Sequence, residues 1–166
     1  MSSERVRKKP LMSLNSKART LIAALFVGFA ASAGAVDTPP SDDLPDLSAI
    51  RALIYSGEYE KAVVQLEELS GKVRHADVFN LLGFSLRNVG RYKEADRWYR
   101  EALYYDPTHR QAIEYQGELF LTTGQLDKAQ ENITTLKIFC LPAGCSELTK
   151  LQKAYDDALA KQKPNS

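Results

Sequence analysis

The sequence predicts an all-α protein built from three helix-turn-helix repeats and a C-terminal capping helix. The first observation is a periodic glycine, since Gly57, Gly90 and Gly124 follow one another at intervals of 33 and 34 residues. The second is an alanine that keeps the same interval, five residues after each glycine. A glycine permits a tight turn with positive φ, and an alanine lets two helix backbones approach closely. Each interval is therefore typical of two packed helices joined by a turn.

The clearest copy of the repeat is residues 76–109, which are 34 residues long. Its first half has apolar or small residues on one helical face, namely Phe79, Leu82, Gly83 and Leu86. Its second half has another such face, formed by Ala95, Tyr99 and Ala102. A turn is expected at 88–91, and Pro107 ends the second helix because proline cannot continue it.

These residues resemble the tetratricopeptide repeat, with Phe79 where that family usually has tryptophan and the other small and aromatic residues at the family's spacings. The resemblance implies a short right-handed α-solenoid. Repeats are expected over 47–143, at about 43–75, 76–109 and 110–143, followed by a capping helix at 144–163. The cap covers the last apolar face of the solenoid with one stripe of side chains, formed by Leu148, Leu151, Tyr155 and Leu159.

The first 35 residues have the pattern of a secretory signal peptide. Lys17 and Arg19 precede an apolar run that ends in two A-x-A patterns, so cleavage is expected after Ala33 or Ala35. Translation from Met12 would give a leader of more usual length. The alternative is a membrane anchor, but the 16 residues from 21 to 36 fall short of the roughly 20 that a span needs. We therefore expect an exported, periplasmic protein, with residues 36–46 as a flexible linker and no membrane span after cleavage.

Charge is spread unevenly along the chain. Residues 1–35 hold six of the 22 basic side chains and one of the 21 acidic ones, which leaves 16 basic and 20 acidic side chains in 36–166. A mildly acidic body lacks the basic footprint that binding to a phosphate backbone requires. We do not expect a nucleic-acid partner.

Cys140 and Cys145 are the only cysteines, and Pro142 and Gly144 favour a turn between them. In an exported protein, a pair that close in sequence is expected to form a structural disulfide. Free thiols or a redox-active pair are the alternatives, although the spacing is not C-x-x-C.

No catalytic constellation is visible in the sequence. There is no nucleophile elbow, phosphate-binding glycine loop or H-E-x-x-H motif, and the two histidines lie one repeat apart. We expect no enzyme activity, no cofactor and no metal site.

The resemblance also implies a binding surface, because the first helix of each repeat lines a concave groove in that family. The groove positions of this chain are Arg51, Tyr55, Asp77, Asn80, Phe84, Arg87, Asn88, Gln111, Glu114, Glu118 and Leu121. Phe84 lies about 100° around the helix from Gly83 and outside the core stripe, so it is expected either as an exposed aromatic or packed against repeat one.

The function that the resemblance implies is protein-protein interaction, as an adaptor or assembly factor that binds a protein or peptide in the groove. One alternative is a structural protein that self-associates through repeat one. A less favoured alternative is a thiol-redox protein that uses Cys140 and Cys145.

Overall fold

The structure, a computed structural model, describes residues 43–162 and has seven helices in that range. They are α1 Ser48–Tyr55, α2 Tyr59–Ser70, α3 Ala76–Asn88, α4 Tyr92–Tyr105, α5 Arg110–Thr122, α6 Leu126–Cys140 and α7 Ser146–Gln162. The predicted signal peptide, residues 36–42 of the predicted linker and residue 163 lie outside the described residues. None of the helices within 43–162 is long and apolar enough to cross a membrane.

Consecutive helices form three pairs, α1 with α2, α3 with α4, and α5 with α6. Each pair is joined by a short turn whose glycine has a positive φ, of 79° at Gly57, 81° at Gly90 and 74° at Gly124. Only glycine adopts this conformation without steric cost, which explains the glycine periodicity of the sequence. The pairs pack in series, with α2 against α3 and α4 against α5.

The second repeat has the core predicted for it. Phe79, Leu82 and Leu86 of α3 are at most 2% exposed, and Ala95 and Tyr99 of α4 are fully buried. The absence of a side chain at Gly83 makes room for the ring of Tyr99, since a Cβ atom on Gly83 would lie 2.8 Å from Tyr99 Cδ1. Gly83 and Tyr99 are therefore complementary parts of one contact between α3 and α4.

The last helix covers the end of the solenoid as predicted. Helix α7 packs against α5 and α6, where the fully buried Leu151 joins a small core with Ile133 and Leu136. The remaining stripe residues are less buried, down to Leu159, which is 37% exposed. The prediction of an all-α fold, with three helical repeats and a capping helix, is confirmed.

Candidate functional site

A cavity of about 320 Å³ lies where the first helices of the three repeats face one another. We call it the groove cavity. Its lining comes from α1, α3 and α5, with one residue from α2: Arg51, Ile54, Tyr55, Tyr59, Asn80, Leu81, Phe84, Gln111 and Tyr115. Five of the predicted groove residues, Arg51, Tyr55, Asn80, Phe84 and Gln111, thus meet around a single space.

Aromatic rings form much of the wall of the groove cavity. The ring of Phe84 lies 4.8 Å from that of Tyr115 on α5 and 6.2 Å from that of Tyr59 on α2, between ring centroids. Phe84 is half-buried, so it contacts repeat one and also lines the cavity.

Two aromatic residues of this wall were not predicted as site residues. Tyr59 lies at the start of a second helix, whereas the groove positions of the family lie on first helices. Tyr115 lies on a first helix, but at a position that the family pattern does not assign to the groove. The sequence carries no signal for either, because both contacts with Phe84 are made between different helices.

Arg87 was predicted to face a partner, but its charge is used within the protein. Its guanidinium forms an ion pair with Glu118 of α5, with an N–O distance of 2.6 Å. The same group lies 5.5 Å from the ring centre of Phe84 and 5.7 Å from that of Tyr115, within the range of cation–π contacts. The side chain of Arg87 is 16% exposed. Arg87 and Glu118 therefore connect α3 to α5 beside the groove cavity.

The other predicted groove residues lie apart from the groove cavity. Leu121 lines a separate cavity of about 570 Å³ toward α7, together with Arg87 and Glu118. Asp77 accepts a hydrogen bond from His109 Nε2 at 3.0 Å, and Asn88 is exposed and donates one to the carbonyl of Phe84.

Glu114 lies one repeat after Asn80 and is only 2% exposed. Its carboxylate is 3.6 Å from Lys150 Nζ of α7, and its Oε2 atom has no hydrogen-bond partner among the described residues. Burial raises the pKa of Glu114 from its usual 4.5 to about 7, because a charged carboxylate is poorly solvated there. Lys150 opposes this shift of the pKa, and Glu118 and Glu147 add to it.

The two cysteines lie close to each other, and the two histidines lie at the starts of helices. Cys140 and Cys145 lie side by side with their Cα atoms 5.4 Å apart, within the range of about 4.4–6.8 Å that a disulfide spans. His75 and His109 each accept a backbone N–H at the start of a helix, α3 and α5 respectively. Within residues 43–162, no group of three or more His, Cys, Asp or Glu side chains is arranged to hold a metal ion.

Comparisons with known proteins agree with this architecture. Residues 76–109 match the family described as "Tetratricopeptide repeat", and no curated protein sequence matches the chain. A structure of the Yersinia enterocolitica type III secretion chaperone SycD, in complex with a peptide of the translocator YopD, is 19% identical with a TM-score of 0.60. The match covers 70% of this chain and 91% of that one.

Two further solved structures have the same fold. PcrH in complex with the chaperone binding region of PopD is 18% identical, with a TM-score of 0.61 over 69% of this chain and 89% of that one. The second tetratricopeptide-repeat domain of human RPAP3, in complex with an HSP70 peptide, is 19% identical, with a TM-score of 0.57 over 64% and 88%. The chain thus contains a tetratricopeptide repeat at residues 76–109 and has the fold of that family.

Proposed function

We propose that this protein is a non-catalytic adaptor or assembly factor that binds a segment of a partner protein in its groove. The observation that carries the proposal is the groove cavity itself, where the first helices of three repeats bring aromatic side chains and polar groups to one accessible space. Cavities with apolar walls and few polar groups are the usual form of binding sites. Three proteins of the same fold are described in complexes with peptides or binding regions of other proteins, which supports a peptide as the ligand.

Photo-cross-linking in cells tests this function. A photo-reactive phenylalanine analogue placed at Tyr55, which is 88% exposed and lines the groove cavity, is expected to capture a partner protein. The same analogue at Tyr104 is the matched control, because this tyrosine is 78% exposed on α4 and does not line the cavity. Adducts of equal yield at both positions would contradict binding in the groove. Adducts consisting only of a second copy of the chain would favour the self-association alternative.

We further propose that the protein is exported to the periplasm and that Cys140 and Cys145 form a structural disulfide. The signal-like pattern of residues 1–35 supports export, and the 5.4 Å between the two Cα atoms supports the bond. An oxidising compartment would keep such a bond formed.

The intact mass of the protein, recovered from a Gram-negative host, tests both statements. We expect a chain that begins at Gly34 or Val36 and lacks two hydrogen atoms relative to the reduced form. Retention of residues 1–33 would support the membrane-anchor alternative. Two reduced thiols would contradict the structural disulfide, and rapid cycling with a mild dithiol would favour the redox alternative.

A further inference from the structure

The groove cavity contains a cation without a partner. Arg51 lines the cavity and is a half-buried residue. Among the described residues its guanidinium makes no hydrogen bond and no ion pair, unlike that of Arg87, which pairs with Glu118, and that of Arg91, which pairs with Glu94. A half-buried guanidinium favours a carboxylate, which it can bind through two parallel N–H donors.

The groove cavity is also lined by Asn80, whose amide oxygen has no hydrogen-bond partner among the described residues. Asn80 is 1% exposed, and its Oδ1 atom is buried without a hydrogen bond from residues 43–162. A buried polar group in this state is unfavourable until it gains a hydrogen bond. An amide group can rotate to present either its oxygen or its nitrogen, and an extended peptide backbone offers both an N–H and a C=O. The environment of Asn80 therefore suits a peptide main chain.

The aromatic walls of the groove cavity favour a ligand with a large apolar side chain. Tyr59, Phe84 and Tyr115 surround the cavity with ring surfaces, and Tyr55 stands at its exposed edge. The volume of about 320 Å³ is at the lower end of the range of binding cavities, roughly 300–1,000 Å³. Such a space suits a large apolar side chain rather than a whole folded element.

From these three observations we infer that the groove cavity binds an internal peptide segment in which a large apolar side chain is flanked by an acidic residue. The apolar side chain lies among the rings, the acidic side chain pairs with Arg51, and the peptide backbone bonds to Asn80. This inference rests on the proposed binding function and names the chemistry of the partner. The carboxylate is a side chain of the segment, so a free C-terminus is not required.

The test uses three blocked tripeptides that differ in one property each. The probes are acetyl-Asp-Leu-Asp-amide, acetyl-Asn-Leu-Asn-amide and acetyl-Asp-Ala-Asp-amide, titrated into the isotope-labelled protein while backbone NMR signals are followed. We expect the Asp-Leu-Asp probe to shift signals around Asn80, Phe84 and Tyr115. It should bind about 3–10-fold more tightly than the Asn-Leu-Asn probe, because a half-buried Arg–carboxylate pair strengthens binding. The Asp-Ala-Asp probe should bind more weakly still, since it lacks the apolar side chain.

The variant Arg51→Gln tests whether Arg51 is the group that binds the acidic side chain of the peptide. It is expected to remove the preference for Asp-Leu-Asp over Asn-Leu-Asn while leaving binding of the uncharged probe unchanged. The matched control is Arg97→Gln, an exposed arginine on α4 outside the cavity, which should leave the preference intact.

Equal binding of the charged and uncharged probes, or a preference that survives Arg51→Gln, would overturn the inference and leave groove binding standing. Cavity signals that respond to none of the three probes would overturn it as well. In that case, loss of selective cross-linking from Tyr55 would show that the proposed function had also failed, whereas retained cross-linking would show that only the ligand chemistry was wrong.

Discussion

Replacement of Leu151 by alanine is expected to lower the free energy of unfolding by about 2–5 kcal/mol. Leu151 is the fully buried side chain through which α7 covers the end of the solenoid. Truncation removes apolar surface from the core and leaves a cavity beside Gly117. Leu151 packs closely against Gly117 in the wild type because glycine has no side chain. Urea denaturation followed by circular dichroism measures the change.

Leu159→Ala provides the matched control for this experiment. It is the same substitution on the same helix, but Leu159 is 37% exposed and its truncation should cost well under half as much. Equal losses for the two variants would contradict the packing of α7 through Leu151.

A second variant, Gly117→Ala, tests the contact between Gly117 and Leu151. A Cβ atom on Gly117 would lie 2.5 Å from Leu151 Cδ2, so Gly117→Ala should be destabilising in the wild-type background. In the Leu151→Ala background, the added methyl group enters vacated space. The combined loss should therefore be smaller than the sum of the two single losses, as expected for residues in direct contact.

The periodicity of the sequence was sufficient to predict the repeats and their turns. Gly57, Gly90 and Gly124 recur because each turn needs a positive φ, a local requirement that is visible in one residue type. The contact partners of the helical glycines could not be predicted in the same way. Gly83 accommodates a tyrosine of its own repeat and Gly117 a leucine of the capping helix, and such pairs depend on how successive helices pack.

The repeat register was a good guide to position in the groove but not to interaction. It placed Arg51, Asn80 and Phe84 beside a common space, because equivalent positions on successive first helices face the same side. Register along one helix says nothing about which charges on neighbouring helices will meet. Arg87 and Glu118 therefore appeared as separate groove residues in the sequence, whereas in the structure they neutralise each other.

Glu114 makes the stability of the protein depend on pH near neutrality. Because burial raises the pKa of Glu114 to about 7 in the folded protein, the folded state holds this proton more tightly than the unfolded chain, where the pKa is near 4.5. Between these values, unfolding releases the proton. The contribution of Glu114 to the free energy of unfolding therefore falls as the pH rises from about 4.5 to 7, by up to roughly 3 kcal/mol.

Glu114→Gln removes this contribution, because the amide has nearly the same shape and does not ionise. The variant should be about 1–3 kcal/mol more stable than the wild type at pH 8 and nearly equal to it near pH 4.5. Urea unfolding across this pH range measures the difference between the two proteins, which cancels the contributions of other carboxylates. Glu131→Gln, the same substitution at an exposed position on α6, is the matched control.

The direction of the pH effect distinguishes two roles for the contact between Glu114 and Lys150. If the ion pair at 3.6 Å dominated, the carboxylate would be favoured in the folded state, and Glu114→Gln would destabilise the protein most at high pH. If burial dominates, as the raised pKa indicates, the same variant is stabilising there. The side chain of Lys150 is 61% exposed, so water weakens its attraction for the carboxylate. Glu114 is only 2% exposed, so its charged form loses most of its hydration in the folded protein. The expected result is therefore a gain in stability above pH 7, and a loss there would show that Lys150 holds the capping helix through its charge.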